Sequence, residues 1–293
     1  MPRLLILGGS GVLGSEVLKE ALGRNIDCIF PQSEELDIRN LAELEKIVSS
    51  YKPDWIINCA AWTNVDGAES SPLEALELNR NAVENIYIAA AKVHCAALHI
   101  STDYVFDGSS DIGYSENDAT NPINHYGLSK WEGEVALLKE PSIRAYILRT
   151  SWLYGVTGKN FVRTMTARAL RGEESKVVSD QIGSPTNARD LAKGIFSIIE
   201  KKPETGIYHF ANQGSCSWFE FAQKIYDLAG ASSELVQLIE SHQLHQVARR
   251  PSRSILNTSK WVDSQLGSIP SWEISLASLL PEIISTISLE GQS

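Results

Sequence analysis

The sequence predicts an α/β fold: a doubly wound parallel sheet joined to a smaller C-terminal α/β lobe. Three observations carry this expectation. Short apolar runs alternate with helix-sized amphipathic stretches up to about residue 150, a glycine cluster links the first run to the first helix, and the alternation weakens after Gly155. A chain of 293 residues can form one large unit or two intimate lobes, and either buries a core able to support a cleft.

The runs at Leu4–Leu7, 28–30, 55–59, 97–100 and 145–148 are too short for helices and too apolar for exposed strands, so they read as strands covered on both faces. The stretches 13–22, 41–50, 71–93 and 125–138 read as the crossover helices between them. After Gly155, loops such as Gly183-Ser184-Pro185 and Arg250-Pro251-Ser252 interleave with short elements. A helix over 190–199 and a strand over 206–211 can return to the first sheet. The expected division is a first unit over 1–154, with a return around 184–211, and a second lobe over 155–183 and 212–293.

Composition is that of an ordinary globular protein, 43% hydrophobic and 21% charged. A net charge of −10 argues against a nucleic-acid surface, which needs clustered cations. The first apolar run meets glycines too soon for a signal peptide or membrane span, so a cytoplasmic protein is expected, with no membrane partner. Cys28, Cys59, Cys95 and Cys216 lie far apart without a CxxC pair, which fits reduced thiols and no metal site. Arg249, Arg250 and Arg253 form one local basic cluster, open to two readings: a solvated loop, or contacts to an anionic ligand.

Gly8-Gly9-Ser10-Gly11-Val12-Leu13-Gly14 follows the first strand and runs into the first helix. Glycines there allow unusual φ values and let the backbone approach a pyrophosphate, which the helix N-terminus favours. In this strand–loop–helix order the spacing points to a Rossmann-type site for NADPH or NADH. Pro31-Gln32-Ser33 stands where an acidic residue would bind the adenosine ribose and repel a 2′-phosphate. NADPH is therefore admissible, although no nearby arginine selects it. Asp37, with Ile38, reads either as an adenine contact or as a cap for the helix beginning at Leu41.

Tyr126 and Lys130 lie four residues apart near a helix start, which puts both side chains on one face. An ammonium beside a phenol lowers the tyrosine pKa from about 10, making the phenol a useful proton donor to an oxygen that receives a hydride. Thr102, in Ser101-Thr102-Asp103, emerges at the C-terminal edge of the fourth strand, where open α/β sheets bind ligands. Its hydroxyl can hold the same oxygen, or these residues can form a strand-terminal turn.

Further blocks extend the pattern: residues 58–69 (NCAAWTNVDGAE), 101–108 (STDYVFDG), 149–155 (RTSWLYG), 180–186 (DQIGSPT), 217–222 (SWFEFA), and Arg250-Pro251 with Ser254 and Leu256. With the glycine loop and the Tyr126/Lys130 pair, they make the chain resemble the extended short-chain dehydrogenase/reductases, and within them the dTDP-4-dehydrorhamnose reductase family, from residue 4 to about 260. The resemblance implies reduction of the 4-keto group of a dTDP-6-deoxy-L-lyxo-4-hexulose to dTDP-L-rhamnose, for polysaccharide biosynthesis, by a monomer or homodimer. It implies Tyr126 as proton donor, Thr102 as holder of the oxygen, and Lys130 on the nicotinamide ribose. It also implies Gly8, Gly11, Val12, Leu13 and Gly14 on the pyrophosphate, Asp37 and Ile38 on adenine, and Ala60, Ala61 and Thr63 beside the nicotinamide. Asp103 and Trp152 become sugar contacts, and Arg250 a phosphate contact, with core packing an alternative for Trp152. Trp62 and Gly67 depart from the family pattern, and no carboxylate cluster suggests a metal.

Two other functions share these motifs. An epimerase or dehydratase of the same superfamily also begins with hydride transfer, but a dehydratase needs an acid beside the threonine, where this chain has Thr102-Asp103-Tyr104. A non-catalytic NADP-binding regulatory subunit keeps the fold without the chemistry.

Overall fold

The computed structural model describes residues 2–139 and 142–290; the outermost ends of the two expected lobes, and Glu140 and Pro141, lie outside the described residues. Six strands, β1 (Leu4–Leu7), β2 (Cys28–Ile29), β3 (Trp55–Asn58), β4 (Ala96–Thr102), β5 (Ala145–Thr150) and β10 (Gly206–His209), form one sheet in the order β10-β5-β4-β3-β1-β2. Every pairing in it is parallel. The expected strand at 206–211 thus joins the sheet beside β5.

Strand alternation decides the two faces. Leu4 and Ile6 of β1 point into a cluster with Leu13 and Val17 of α1 (Val12–Gly23) and with Leu191, Ile195 and Phe196 of α8 (Ala188–Lys201). Leu5 and Leu7 point the other way, against Leu44 and Val48 of α2 (Leu41–Tyr51), Ile86 of α5 (Ala82–Lys92) and Leu137 of α6 (His125–Leu138). Burial on both faces explains the nearly unbroken apolar runs.

The helix expected over 71–93 is interrupted. It begins as α4 (Pro72–Leu76), passes through a π turn at Glu77–Asn81, and continues as α5. The turn carries buried Asn79, whose Oδ1 accepts from Trp62 N at 2.8 Å and whose Nδ2 donates to Trp62 O at 3.0 Å and to Ser129 Oγ at 2.9 Å. Such one-turn π insertions often serve a functional site; here the turn pins the segment leaving β3. A short helix, α3 (Val65–Ser70), was not expected from the sequence.

Strands β6 (Leu153–Tyr154) and β9 (Thr186–Asn187) pair at the junction of the two units, and the second lobe is built from α7 (Phe161–Leu170), β7 (Ser175–Val178), β8 (Ile182–Gly183), β11 (Cys216–Ser217), α9 (Trp218–Leu228), β12 (Val236–Ile239) and α11 (Trp272–Glu290). Its core joins Tyr154, Val162, Phe221, Ile225 and Trp272 with Leu276, Leu279 and Ile283 of α11. By length and composition α11 could cross a membrane, but one face is buried in this core. Trp261 of α10 (Ser259–Asp263) packs into the α1/α8 cluster of the sheet.

One buried ion pair sits beneath the sheet's C-terminal edge. Arg149 of β5 donates to Glu134 of α6 through Nε (2.9 Å) and Nη2 (2.6 Å), with both side chains almost fully buried. Removing one member strands the other without water, so Arg149→Leu is expected to destabilise the protein by about 3–5 kcal/mol. Adding Glu134→Leu should recover most of that loss, measured by urea unfolding of the single and double variants.

Candidate active site

The chain runs from β1 to β2 on one side and then crosses back to β3 on the other, so a crevice opens where the two directions part. The glycine loop forms one wall. Gly8 has φ +75, and a Cβ there would lie 2.7 Å from Ala60 N. At Gly14 a Cβ would meet Gly8 O at 2.0 Å, so this residue closes the loop onto its helix from beneath. The α1 N-terminus has Gly11 as its cap, with no side-chain hydrogen bond and no acidic residue in the first turn. Its free N–H groups and unopposed dipole suit a pyrophosphate.

The crevice deepens into a cavity of about 1010 Å³. Gly8, Gly11, Val12, Leu13, Asp37, Ile38, Ala60, Ala61, Thr63, Thr102, Asp103, Tyr126, Lys130 and Trp152 all line it. Gly14 and Arg250 do not. At one end Asp37 is paired with Arg39, whose Nη2 donates to Asp37 Oδ2 at 2.8 Å, holding the carboxyl below its ordinary range. The helix cap is Asn40, whose side chain accepts from Ala42 N and Glu43 N, so the capping reading of Asp37 is corrected. Arg39 also lines the crevice, which corrects the expectation that no arginine stands near. The sequence signal was its position two residues after Asp37, on a bend that brings it back.

At the other end, β4 delivers Thr102 and Asp103, and α6 delivers Tyr126 and Lys130. The N-cap of α6 is Asn124: Oδ1 accepts from Gly127 N at 2.7 Å, and Nδ2 donates to Arg249 O at 2.7 Å. Gly127 is required because a Cβ would sit 2.1 Å from Tyr104 O. Tyr126 and Thr102 line the same end of the cavity, near enough for the hydroxyl to act on the phenol, and burial pushes the phenol up to about 12. Lys130 Nζ donates to Ile100 O at 2.7 Å and lies 3.1 Å from His99 Nε2, and burial brings its pKa down to about 7. The tyrosine is therefore a neutral phenol, the form that can give a proton away.

Thr102 Oγ1 donates to Asp103 Oδ1 at 3.1 Å and accepts from Tyr104 N at 3.2 Å. Asp103 also accepts from Ser254 Oγ, and burial raises its carboxyl to about 7. Tyr104 stands edge-on to Tyr126, ring centroids 5.8 Å apart. Ser101 Oγ and Thr150 Oγ1 are buried, line the cavity and have no hydrogen-bond partner among the described residues. Unpartnered buried hydroxyls of this kind are what a polar ligand would satisfy.

Trp152 lies against Trp218 with centroids 3.7 Å apart and planes within 10°. Its φ of +46 and the closeness of Gly183, where a Cβ would meet its ring at 2.5 Å, hold it facing the cavity. Trp218, Tyr104 and Thr150 had no role assigned from sequence; Trp218 stood in a recognised block but its neighbour was unknown. Arg250 donates to Asp66 through Nη1 (3.1 Å) and Nη2 (2.8 Å). No group of three or more His, Cys, Asp or Glu suited to a metal occurs among the described residues.

The parallel sheet, the glycine loop at its switch point and the Thr102/Tyr126/Lys130 cluster define an extended short-chain dehydrogenase/reductase architecture. Within it, the chain belongs to the RmlD substrate binding domain family, whose model matches residues 2–284. It is 39% identical over 291 residues to a dTDP-4-dehydrorhamnose reductase of Aggregatibacter actinomycetemcomitans, covering 95% of this chain and 98% of that one. It is 33% identical over 279 residues to a dTDP-4-keto-6-deoxy-D-glucose reductase of Streptomyces niveus, covering 95% and 96%. The crystal structure of a dTDP-4-dehydrorhamnose reductase from Bacillus anthracis in complex with NADP superposes with a TM-score of 0.92 at 38% identity, over 96% of this chain and 99% of that chain.

The close approach at Gly8 yields a direct test. Gly8→Ala adds both a left-handed strain of about 1–2 kcal/mol and a clash with the Ala60 backbone, and is expected to weaken NADPH binding by at least about tenfold. Fluorescence titration of the nucleotide measures this, and unchanged affinity would contradict the assignment of this wall.

Proposed function

We propose that the protein reduces the 4-keto group of a dTDP-6-deoxy-4-hexulose with NADPH or NADH, giving dTDP-L-rhamnose. The observation that carries this reading is the convergence of Thr102, Tyr126 and Lys130 at one end of the crevice whose other wall is the glycine loop. The named relatives and the NADP complex support it.

When bound, the nicotinamide supplies the hydride that reaches the sugar C4. Thr102 holds the keto oxygen by turning its hydroxyl proton from Asp103 to the substrate. Tyr126 then gives its proton to the alkoxide, a far stronger base than a phenolate. Lys130 holds the ribose hydroxyls, Asp103 and Trp152 contact the sugar, and Arg250, oriented by Asp66, serves the diphosphate. Arg250 lies near enough to Tyr104 for its charge to act on that phenol. Arg39 accommodates a 2′-phosphate, with Asp37 and Ile38 beside adenine. In this division of labour residues 1–154, with the return at 184–211, bind the cofactor, and 155–183 with 212–293 bind the sugar nucleotide. The reading carries with it a cytoplasmic protein, monomeric or homodimeric, without nucleic-acid or membrane partners.

The position where a dehydratase needs an acid holds Tyr104, edge-on to Tyr126, which disfavours water elimination. Incubation with the dTDP-keto sugar should consume NADPH stoichiometrically, seen as loss of its near-ultraviolet absorbance. No net oxidation would indicate a redox-neutral enzyme or a regulatory subunit. Tyr126→Phe is expected to lower turnover by at least about a hundredfold, with cofactor affinity little changed; an unaffected rate in steady-state assays would remove the phenol from the mechanism.

A further inference from the structure

The turn that follows β6 lies across the first turn of α1. A Cβ at Gly155 would come within 2.9 Å of Val12 Cγ1, and one at Gly158 within 3.0 Å of Val12 Cγ2, so both glycines are set by contact with the residue that opens α1. Ser15 Oγ and Thr157 Oγ1 are 3.2 Å apart, which ties the two segments a second time. The carbonyl groups of the turn are engaged within it: Asn160 Nδ2 donates toward Gly155 O (3.0 Å), Gly158 O (3.2 Å) and Thr157 O (3.4 Å), and Arg163 Nη1 donates to Val156 O. Acceptors that would repel an anion are thereby already occupied.

Lys159 stands at the end of this turn, exposed, and lines the crevice. The other charged residues on the lining are differently placed. Asp37 and Arg39 hold each other, Lys130 donates to Ile100 O at the buried end, Asp103 accepts from Thr102 and Ser254, and Glu74 stands on α4. Among the described residues, Lys159 is thus the one exposed cation of the lining that neither a carboxylate nor a hydrogen bond engages. An exposed lysine is ordinarily a solvated charge; this one adjoins a helix start that has no acidic residue in its first turn and no side-chain cap. We propose that Lys159 binds the pyrophosphate of the dinucleotide, a contact contributed by the second lobe. The glycine loop offers backbone N–H groups, and Lys159 adds a compact charge on a long stem. The tie to Val12 and Ser15 assigns the lysine to this diphosphate and not to that of the sugar nucleotide, which Arg250 serves.

This role rests on the cofactor reading of the crevice, and titration of the full chain with NADPH, followed by fluorescence, tells the two apart. No binding by the wild type removes the cofactor reading itself, whereas equal affinity in the wild type and Lys159→Met removes only the lysine. Lys159 is exposed, so neither substitution used here opens the core. Lys159→Met is expected to raise the dissociation constant at least about threefold at low ionic strength, and Lys159→Arg, which keeps the charge, to stay within about twofold of the wild type. The difference should shrink as salt is added, because an exposed charge is screened; a difference independent of salt marks altered packing and overturns the proposal. Displacement of NADPH then locates the contact. The 2′-phosphate of ADP-ribose, which carries the diphosphate, should lose affinity for Lys159→Met by the same factor as NADPH, and adenosine 2′-monophosphate, which lacks it, should not. Equal loss for both, or a loss confined to dTDP measured by calorimetry, overturns the proposal, the latter by moving the lysine to the sugar nucleotide.

Discussion

Strand β4 pairs in parallel with β3 and β5, with Asn58 opposite His99, Ser101 opposite Arg149 and Thr102 opposite Thr150, and the site stands on this register. Side chains alternate across a sheet, so a slip of one residue would exchange the faces to which Thr102 and His99 point. Apolar burial on both faces opposes such a slip, since Leu98 and Ala97 belong to opposite clusters and would exchange environments. The same packing that folds the sheet therefore sets which groups meet at its edge.

Burial then governs the chemistry. The pKa values of Tyr126, Lys130 and Asp103 are all moved mainly by loss of water, each toward its neutral form. Where the groups facing a ligand are neutral, as at this end of the crevice, discrimination comes from hydrogen bonding more than from net attraction. This suits a protein of net charge −10 that must accept an anionic cofactor, because the favourable contributions come from backbone N–H groups and a few placed guanidinium groups.

Much of this was legible in the sequence, for identifiable reasons. The strands of the sheet announce themselves because each is buried on both sides, and His125–Leu138 is observed at the limits expected for it. Leu4–Leu7 likewise ends at the glycines that its loop requires. Less was legible where short elements take their stability from distant partners. The two-residue strands of the second lobe have no periodicity to detect, and the π turn is specified by Asn79 meeting Trp62 and Ser129 across the fold. Within the site, the spacing of Tyr126 and Lys130 identified the pair but not its electrostatics. The lysine's true neighbours, His99 and Ile100, lie on another element, and a one-dimensional pattern carries no information about them. Arg39 escaped for a related reason, since only the bend after β2 brings it to the crevice.

The return of the chain to the sheet has an architectural consequence. Because β10 hydrogen-bonds along β5, and α8 covers α1, the polypeptide after Tyr154 completes the first unit as well as forming the second lobe. Severing the two there would bare the backbone of β5 as an unpaired apolar edge, a template for association between molecules. The lobes are consequently not interchangeable cassettes: evolution of the second lobe's surface has to proceed through loops and side chains, while the crossing segments stay in place.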